Sequence, residues 1–463
     1  MTLLVPGLLL AQYPPPDTLW TRLYSFDVRD HVTDLVMSDD DGYLMAGYTG
    51  PDNIDLSGLL IRTDSLGNVI WENSYRNSAS IYSNFWNVLA TDDGGYLASG
   101  NELMPDSTWE NAWLVKVGDD GEIEWQNTIV CVEEDSFIYG SLATSDGGYI
   151  HTGGIGIYTQ NTLDLLLVKT DANGDVDWLN RYRVNGNDSG YDICETEAGE
   201  FVVAGKTRID PNTLGYLMMV DSTGTVQWDL TYSDGSFVRF ERLEVLEEGS
   251  ILIGGYSTES GMILAEYDEF GELQWEKDYG QDTFFGDFQV CSNGDVVCTG
   301  RAEDPGVMLM RCDPFGNVIW QTSINGGEGS ESGRALVENP DGGYTVASGV
   351  NDYPVMDIWL LKFESCTGIE EGPEAEQGFS AFTEPNPFDE HITVSYHLDA
   401  PADMLISVYD CSGRQIEEFQ LKGVPRGNGS FQWSPGPETP AGCYSIVLDA
   451  VNEVIVCRCI KLE

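Results

Sequence analysis

The side chains most able to do chemistry here are carboxylates. The 463-residue chain has 77 Asp and Glu against 22 Lys and Arg, with only four His (His31, His151, His391 and His397) and ten Cys. The first 365 residues hold only His31 and His151, which is almost no material for a serine–histidine triad or for a metal centre built on several imidazoles. His151 follows the apolar pair Tyr149-Ile150 and reads as an ordinary structural His. Glycosidase-type chemistry needs only two carboxyl groups. With 77 of them, any pair can be drawn and none is singled out. No glycine-rich loop with a following Lys offers a phosphate cradle. No catalytic or cofactor-binding residue is therefore assigned. The carboxylates of Asp39, Asp40 and Asp41, of Asp92 with Asp93, and of Asp119 with Asp120 offer oxygen ligands to Ca²⁺. They lack the alternating ligand series of a calcium loop, and Asp has its own reason to occur in turns.

The formal net charge of −55 excludes nucleic acid and anionic membranes as partners, because phosphate binding requires a basic footprint. The first reading of this charge is a solvated acidic surface that keeps an extracellular protein soluble; binding of cations is the second. Forty-one per cent hydrophobic residues, 52 Gly and 19 Pro suit an all-β chain with many turns.

The elements that position these groups are repeated at spacings near fifty residues. A turn followed by a strand begins at Asp40, Asp93, Asp146, Ala198, Glu248, Asn293 and Asp341, as in Asp93-Gly94-Gly95-Tyr96-Leu97-Ala98. A second element, strand–tight turn–strand, ends in Trp71, Trp125, Trp178, Trp228, Trp275 and Trp320. Each Trp lies four residues after a Gly (67, 121, 174, 224, 271 and 316). An Asp precedes five of these glycines by three residues, whereas the pair Asp119-Asp120 stands directly before Gly121. Asp and Gly supply the turn conformations of short hairpins, and alternating apolar residues suit a pleated strand. A Trp at a fixed place in each repeat predicts packing between neighbouring sheets, with no ligand required.

Seven turn–strand elements are present, but the seventh, ending at Trp359-Leu360-Leu361-Lys362-Phe363, has no Gly-x-x-x-Trp strand after it. Residues Thr18-Leu19-Trp20-Thr21-Arg22-Leu23-Tyr24 match that missing strand. Strand 18–24 is therefore expected to complete the last sheet, closing a seven-bladed β-propeller over 12–365 with no free edge. The fragment Val220-Asp221-Ser222-Thr223-Gly224-Thr225-Val226-Gln227-Trp228 resembles the Trp-docking repeat of quinoprotein-type propellers. The resemblance concerns the repeat unit alone. The eight blades and vicinal cysteine pair of the quinoprotein dehydrogenases are not matched, so no quinone is carried over.

Residues 1–11 form an apolar run ending in Ala11, like the core and cleavage site of a signal peptide without a basic start. The run is too short to span a bilayer, and no later apolar run is long enough. Export permits disulfides. Cys291 with Cys298 across a turn, or Cys457 and Cys459 with Cys411 or Cys443, are readings that stand beside free, buried thiols.

An acidic linker, 366–380, leads to short alternating strands over 381–463 that suggest a small immunoglobulin-like sandwich. Glu384-Pro385-Asn386-Pro387-Phe388, Val408-Tyr409-Asp410-Cys411-Ser412-Gly413-Arg414, Ala441-Gly442-Cys443-Tyr444 and Ile460-Lys461-Leu462 together resemble the type A C-terminal sorting domain of the type IX secretion system. A related immunoglobulin-like module of hook-capping proteins and secreted proteases shares these segments. The first resemblance implies the outer-membrane secretion machinery as a partner and delivery to the medium or the cell surface, with Lys461 in the recognised strand. An accessory sandwich without a sorting role is the plainer alternative. For the propeller, the expected function is binding of an extracellular protein or glycan. A polysaccharide hydrolase or lyase using channel carboxylates and a structural surface component are the other readings.

Overall fold

The computed structural model describes Pro16, residues 18–364 and residues 380–461, apart from 53, 78–79, 105–107, 132, 210, 247–248, 292, 303–305, 326–329, 353–354, 385–390, 399, 411–413, 437–438, 440–441 and 451–452. Residues 1–11, linker residues 366–379, and Pro385, Asn386, Pro387 and Gly413 lie outside the described residues. The chain divides into two compact units between Cys366 and Thr367.

In the first unit, strand β1 (Thr18–Tyr24) precedes the four antiparallel strands of the first blade: β2 (Arg29–Met37), β3 (Tyr43–Gly50), β4 (Ser57–Thr63) and β5 (Val69–Tyr75). Five further four-stranded sheets follow, with inner strands Tyr82–Ala90, Asp135–Ala143, Ser189–Glu195, Val238–Val245 and Phe284–Val290. The seventh sheet takes three strands from the end of the unit, Ser330–Glu338, Tyr344–Asp352 and Val355–Phe363. Its fourth is β1, which pairs antiparallel with Val355–Phe363 and sets Thr21 opposite Leu361 and Tyr24 opposite Ile358. The seven sheets make a β-propeller.

Blades adhere through apolar faces. The cluster at the first seam joins Leu44, Leu60 and Tyr75 of the first blade to Phe85, Val88 and Trp113 of the second, all buried. Burying one such side chain stabilises by roughly 1.5–3 kcal/mol. The repeated Trp reinforces the seam from outside, because in every blade but the sixth its ring lies against the hairpin glycine of the next blade. A Cβ on Gly67 would fall 2.8 Å from Cζ3 of Trp20, and one on Gly174 2.5 Å from Cζ3 of Trp125. Both glycines also have positive φ, 74° and 77°, which L side chains rarely adopt.

The hairpins explain the repeated Asp. Oδ1 of Asp64 accepts the amides of Leu66 and Asn68, and the Gly67 amide donates to the Asp64 carbonyl, closing the turn. Asp171, Asp221, Asp268 and Asp313 do the same in their own blades. Where Gly118 replaces this Asp, Asp120 caps the Glu122 amide instead. Trp320 has no such hairpin to meet, since the last blade is completed from the N-terminus; it is 3% exposed, packed with Trp359 and Phe363.

Cys291 and Cys298 are both free and buried. They belong to different apolar clusters, one facing the seventh blade and one the fifth, so no bond crosses the turn between them.

The second unit has two sheets sharing one core. One contains Ser380–Glu384, Ile392–Leu398 and Gly427–Trp433. The other is ordered Gln415–Val424, Ala402–Asp410, Gly442–Ala450, Glu453–Lys461. Ile392, Val394, Ile406, Val408, Trp433, Ile446 and Leu448 fill the space between them.

Candidate functional site

The innermost strands hold the chemistry. In all seven, the register with the second strand slips at the same place, leaving one extra residue: Thr33, Trp86, Tyr139, Tyr191, Glu241, Gly286 and Arg334. Such bulges bend a strand and re-aim its side chains. Each bulged residue stands seven positions before the start of its turn motif, from Thr33 before Asp40 to Arg334 before Asp341. Unlike the repeated Trp and Gly, these positions differ from blade to blade, so fold maintenance does not dictate their identity.

The residue after each bulge includes the aspartates. Asp34, Asp192 and Asp287 accept from their following amides through Oδ1 and from the next blade through Oδ2: Val88, Leu243 and Leu336 donate, each at 2.9 Å. Arg242, at the equivalent position of the fifth blade, gathers all three. Its Nη2 is 3.0 Å from Asp34, its Nε 3.0 Å from Asp287 and its Nη1 4.0 Å from Asp192. The Arg242–Asp34 pair spans from the fifth blade to the first and so occupies the middle of the channel. Although burial opposes its charge, Asp287, Asp34 and Asp192 push the Arg242 pKa above its ordinary value. Burial drives the Asp287 carboxyl up to about 7 against the pull of Arg242, and burial also raises Asp192. These three carboxylates are fastened to backbone amides of the next blade and to the Arg242 guanidinium.

Toward the end at which the inner strands begin, the mouth is aromatic and cationic. The Tyr48 ring stacks on His31 at 4.9 Å and meets Trp86 edge-on; Trp86 meets Tyr139 at 5.9 Å, and Tyr139 meets Tyr191 at 5.3 Å. Lys206 stands 5.5 Å from the Tyr191 ring centroid, and Arg301 lies 4.0 Å over Phe284, which itself stacks on Tyr256. Arg239 pairs with Glu241 at 2.6 Å. Arg334 is exposed and forms no hydrogen bond or ion pair with any described residue. Its crowded surroundings lower its pKa, with Arg239 and Arg301 adding to the effect and Glu241 and Tyr48 opposing it. Burial, then Arg334, pushes the His31 pKa down to about 3, so its imidazole is neutral, with Nδ1 buried and unpartnered. Beside the mouth, Trp86 Nε1 donates to Asn101 at 2.8 Å and Asn101 donates to Glu110. Burial and the neighbouring Asp135 raise Glu110 to about 7.

The candidate Ca²⁺ ligands are at the turns. Asp40 pairs with Arg62 at 2.5 Å and Asp93 with Lys116 at 3.0 Å, while Asp119 lies 3.6 Å from Arg62. With Asp39 they line a shallow groove of about 260 Å³ between the first two blades. Among the described residues, no group of three or more His, Cys, Asp and Glu is arranged to hold a metal ion. His151 is fully buried, with Nδ1 2.8 Å from the Ser141 hydroxyl. Trp20, Trp71, Trp125, Trp178, Trp228 and Trp275 lie on outer strands, away from the mouth. The Trp71 and Trp228 indoles donate to the Asp119 and Glu269 carbonyls of the following blades.

In the second unit, three separate motif segments meet at one end of the four-stranded sheet. Asp410 is registered opposite Tyr444, Tyr409 opposite Ser445, and Gly442 opposite Lys461. Arg414 directly precedes the strand Gln415–Val424 at that end.

No protein-family model and no curated protein matches the chain. Among solved structures, it is similar to a protein of unknown function from Dyadobacter fermentans, with 11% identity, a TM-score of 0.50, and coverage of 76% of this chain and 100% of that one. It is also similar to a protein of unknown function from Bacteroides caccae (13% identity, TM-score 0.40, 60% of this chain and 93% of that one). A third similar structure is a puromycin hydrolase (13% identity, TM-score 0.48, 81% of this chain and 60% of that one). At these identities the likeness concerns the fold alone. Among the described residues, no helix is long and apolar enough to cross a membrane.

Proposed function

We propose that the chain is an exported binding protein whose propeller presents the channel mouth to an extracellular protein or glycan. The observation that carries this reading is the division of labour on the inner strands. The aspartates that would serve hydrolysis are consumed by inter-blade hydrogen bonds and by Arg242, whereas the partly exposed aromatic and cationic side chains collect at one end. Aromatic surfaces with a few convergent polar groups suit recognition. The test is a glycan and surface-protein binding array probed with the full chain, with and without Ca²⁺. Specific binding that is lost in the Tyr139→Ala variant supports the reading, and a blank array overturns it.

For the second unit, we propose a sorting role in outer-membrane secretion. The support is the convergence of Tyr409, Asp410, Gly442, Tyr444 and Lys461 on one sheet end. Deleting the chain from Phe382 onward in the native host, followed by cell fractionation, tests it. Normal surface delivery of the truncated protein would sink the idea.

One observation favours a second reading. The raised pKa of Glu110 suits a general acid in a polysaccharide-cleaving enzyme. Polymer cleavage abolished by Glu110→Gln would establish it.

A further inference from the structure

We propose that the channel mouth binds the end of an anionic polysaccharide, with Arg334 pairing the acidic group of a sugar and the Trp86–Tyr139–Tyr191 arc stacking against the sugar rings. This deepens the binding reading above and rests on it.

Three features lead to this ligand class. The first is a guanidinium with no hydrogen bond or ion pair to any described residue. The chain holds 77 acidic residues, yet no described carboxylate pairs with Arg334. Arg239 and Arg301 lie close enough to repel its charge and Glu241 close enough to attract it, so Arg334 stands in a cluster of cations on a molecule of net charge −55, with Glu241 already paired to Arg239. Guanidinium groups recognise planar or tetrahedral anions through paired N–H donors. The Arg239–Glu241 contact, one Nε–H donated to Oε1 at 2.6 Å, shows a guanidinium taking a carboxylate within the same ring.

The second is the aromatic arc. Trp86, Tyr139 and Tyr191 come from three successive blades, all at bulge positions, with ring centroids 5.9 and 5.3 Å apart and planes inclined by 65° and 44°, so each ring offers its own face rather than part of one flat platform. That spacing is comparable to one pyranose ring. A pyranose offers a flat C–H face to an aromatic surface, and the Tyr and Trp polar ends stay available for hydroxyl groups. An acidic peptide would satisfy Arg334 but lacks the apolar C–H ring faces that pack against individual aromatic side chains.

The third is the floor. Arg242, bound to Asp34, Asp192 and Asp287, occupies the middle of the channel, so a chain cannot thread through. The acidic surface elsewhere repels an anionic polymer lying along it. Only the end of a chain, or a short oligosaccharide, can reach the site.

The test is isothermal titration of the full chain with trigalacturonate, a sulfated disaccharide, neutral galactotriose and hexaglutamate peptide. The carboxylated and sulfated arms separate the two sources of negative charge, and binding by either supports the proposal. Arg334→Gln should weaken the anionic sugars by roughly 10-fold or more, as expected for loss of a charge-assisted hydrogen bond. Arg183→Gln, at an exposed site on the third blade, is the charge-matched control and should leave binding unchanged. Thermal unfolding of Arg334→Gln should stay close to the wild type, since no hydrogen bond or ion pair with a described residue is removed. Galactotriose binding as tightly as trigalacturonate, insensitivity to Arg334→Gln, or a preference for hexaglutamate would each overturn the proposal. If the array yields a neutral glycan or a protein whose binding depends on Tyr139, the proposal falls while the binding reading stands. If nothing binds in either experiment, both fall.

Discussion

The Tyr24 hydroxyl donates to the Gly67 carbonyl at 2.7 Å, across the seam where the two ends of the propeller meet. Tyr75, Tyr182 and Tyr279 make the same bond to Gly121, Gly224 and Gly316 at interior seams. The seam between the seventh blade and the first is thus built like the others, because β1, paired to Val355–Phe363 within the seventh sheet, brings its Tyr to the glycine of the next hairpin at the usual sequence spacing. Tyr24→Phe removes the donor but keeps the ring, and is expected to cost about 1 kcal/mol. Urea unfolding checks this, and Tyr75→Phe should show a loss of similar size.

The docking of Trp125 on Gly174 makes a sharper demand. Gly174→Ala would bring a methyl against the indole at a residue with φ of 77°. The combined clash and backbone strain should destabilise by roughly 2–3 kcal/mol. A change of Gly147, which also has positive φ but has nothing within 4 Å of its Cβ position, should cost less. Equal losses at the two sites would show that the docking adds nothing.

Much of this architecture was legible in sequence because the responsible contacts are local. Asp64 and Gly67 close one turn, and Trp71 follows at a fixed offset, so the pattern recurs wherever the turn recurs. The mouth was not legible in the same way. Trp86, Tyr139 and Arg334 share no residue type, and their meeting depends on a bulge in each inner strand and on closure of the ring. The signal that would have found them is positional: the seventh residue before each turn motif. The Arg242 cluster was hidden for a related reason. Asp34 is 208 residues from Arg242, and nothing in an abundance of Asp marks the three that converge.

Two imidazoles give the fold an acid sensitivity. Burial, helped by the nearby Lys169, pushes the His151 pKa from 6.5 down to about 3, and His31 is depressed to about 3 as well. Below pH 6.5 the unfolded chain takes up protons that the folded chain refuses. Stability is therefore fully present above that pH and falls as the pH drops toward the folded value, by at most about 1.4 kcal/mol per pH unit for each His. In urea titrations between pH 7 and pH 4, His151→Asn should flatten the slope by about one such contribution. An unchanged slope would mean that His151 is protonated in the folded protein.

Arg242 should prove structural. Arg242→Met strands Asp34, Asp192 and Asp287 beside one another without their cation, which is expected to cost about 3–5 kcal/mol. Asp287→Asn retains an acceptor for the Leu336 amide and relieves like-charge repulsion, so its loss should be much smaller. Thermal unfolding of both variants at pH 8 checks the order, and a reversed order would contradict the assignment.

The most direct test of the account is where a bound ligand protects the backbone. Hydrogen–deuterium exchange of the full chain with saturating trigalacturonate should slow amides on the inner strands around 84–87, 137–141, 189–192 and 332–336. The outer strands 69–75 and 123–129, and the second unit, should be unaffected. Protection confined to the outer strands or to residues 392–450, or none at all under saturation, would contradict the placement of the site at the channel mouth.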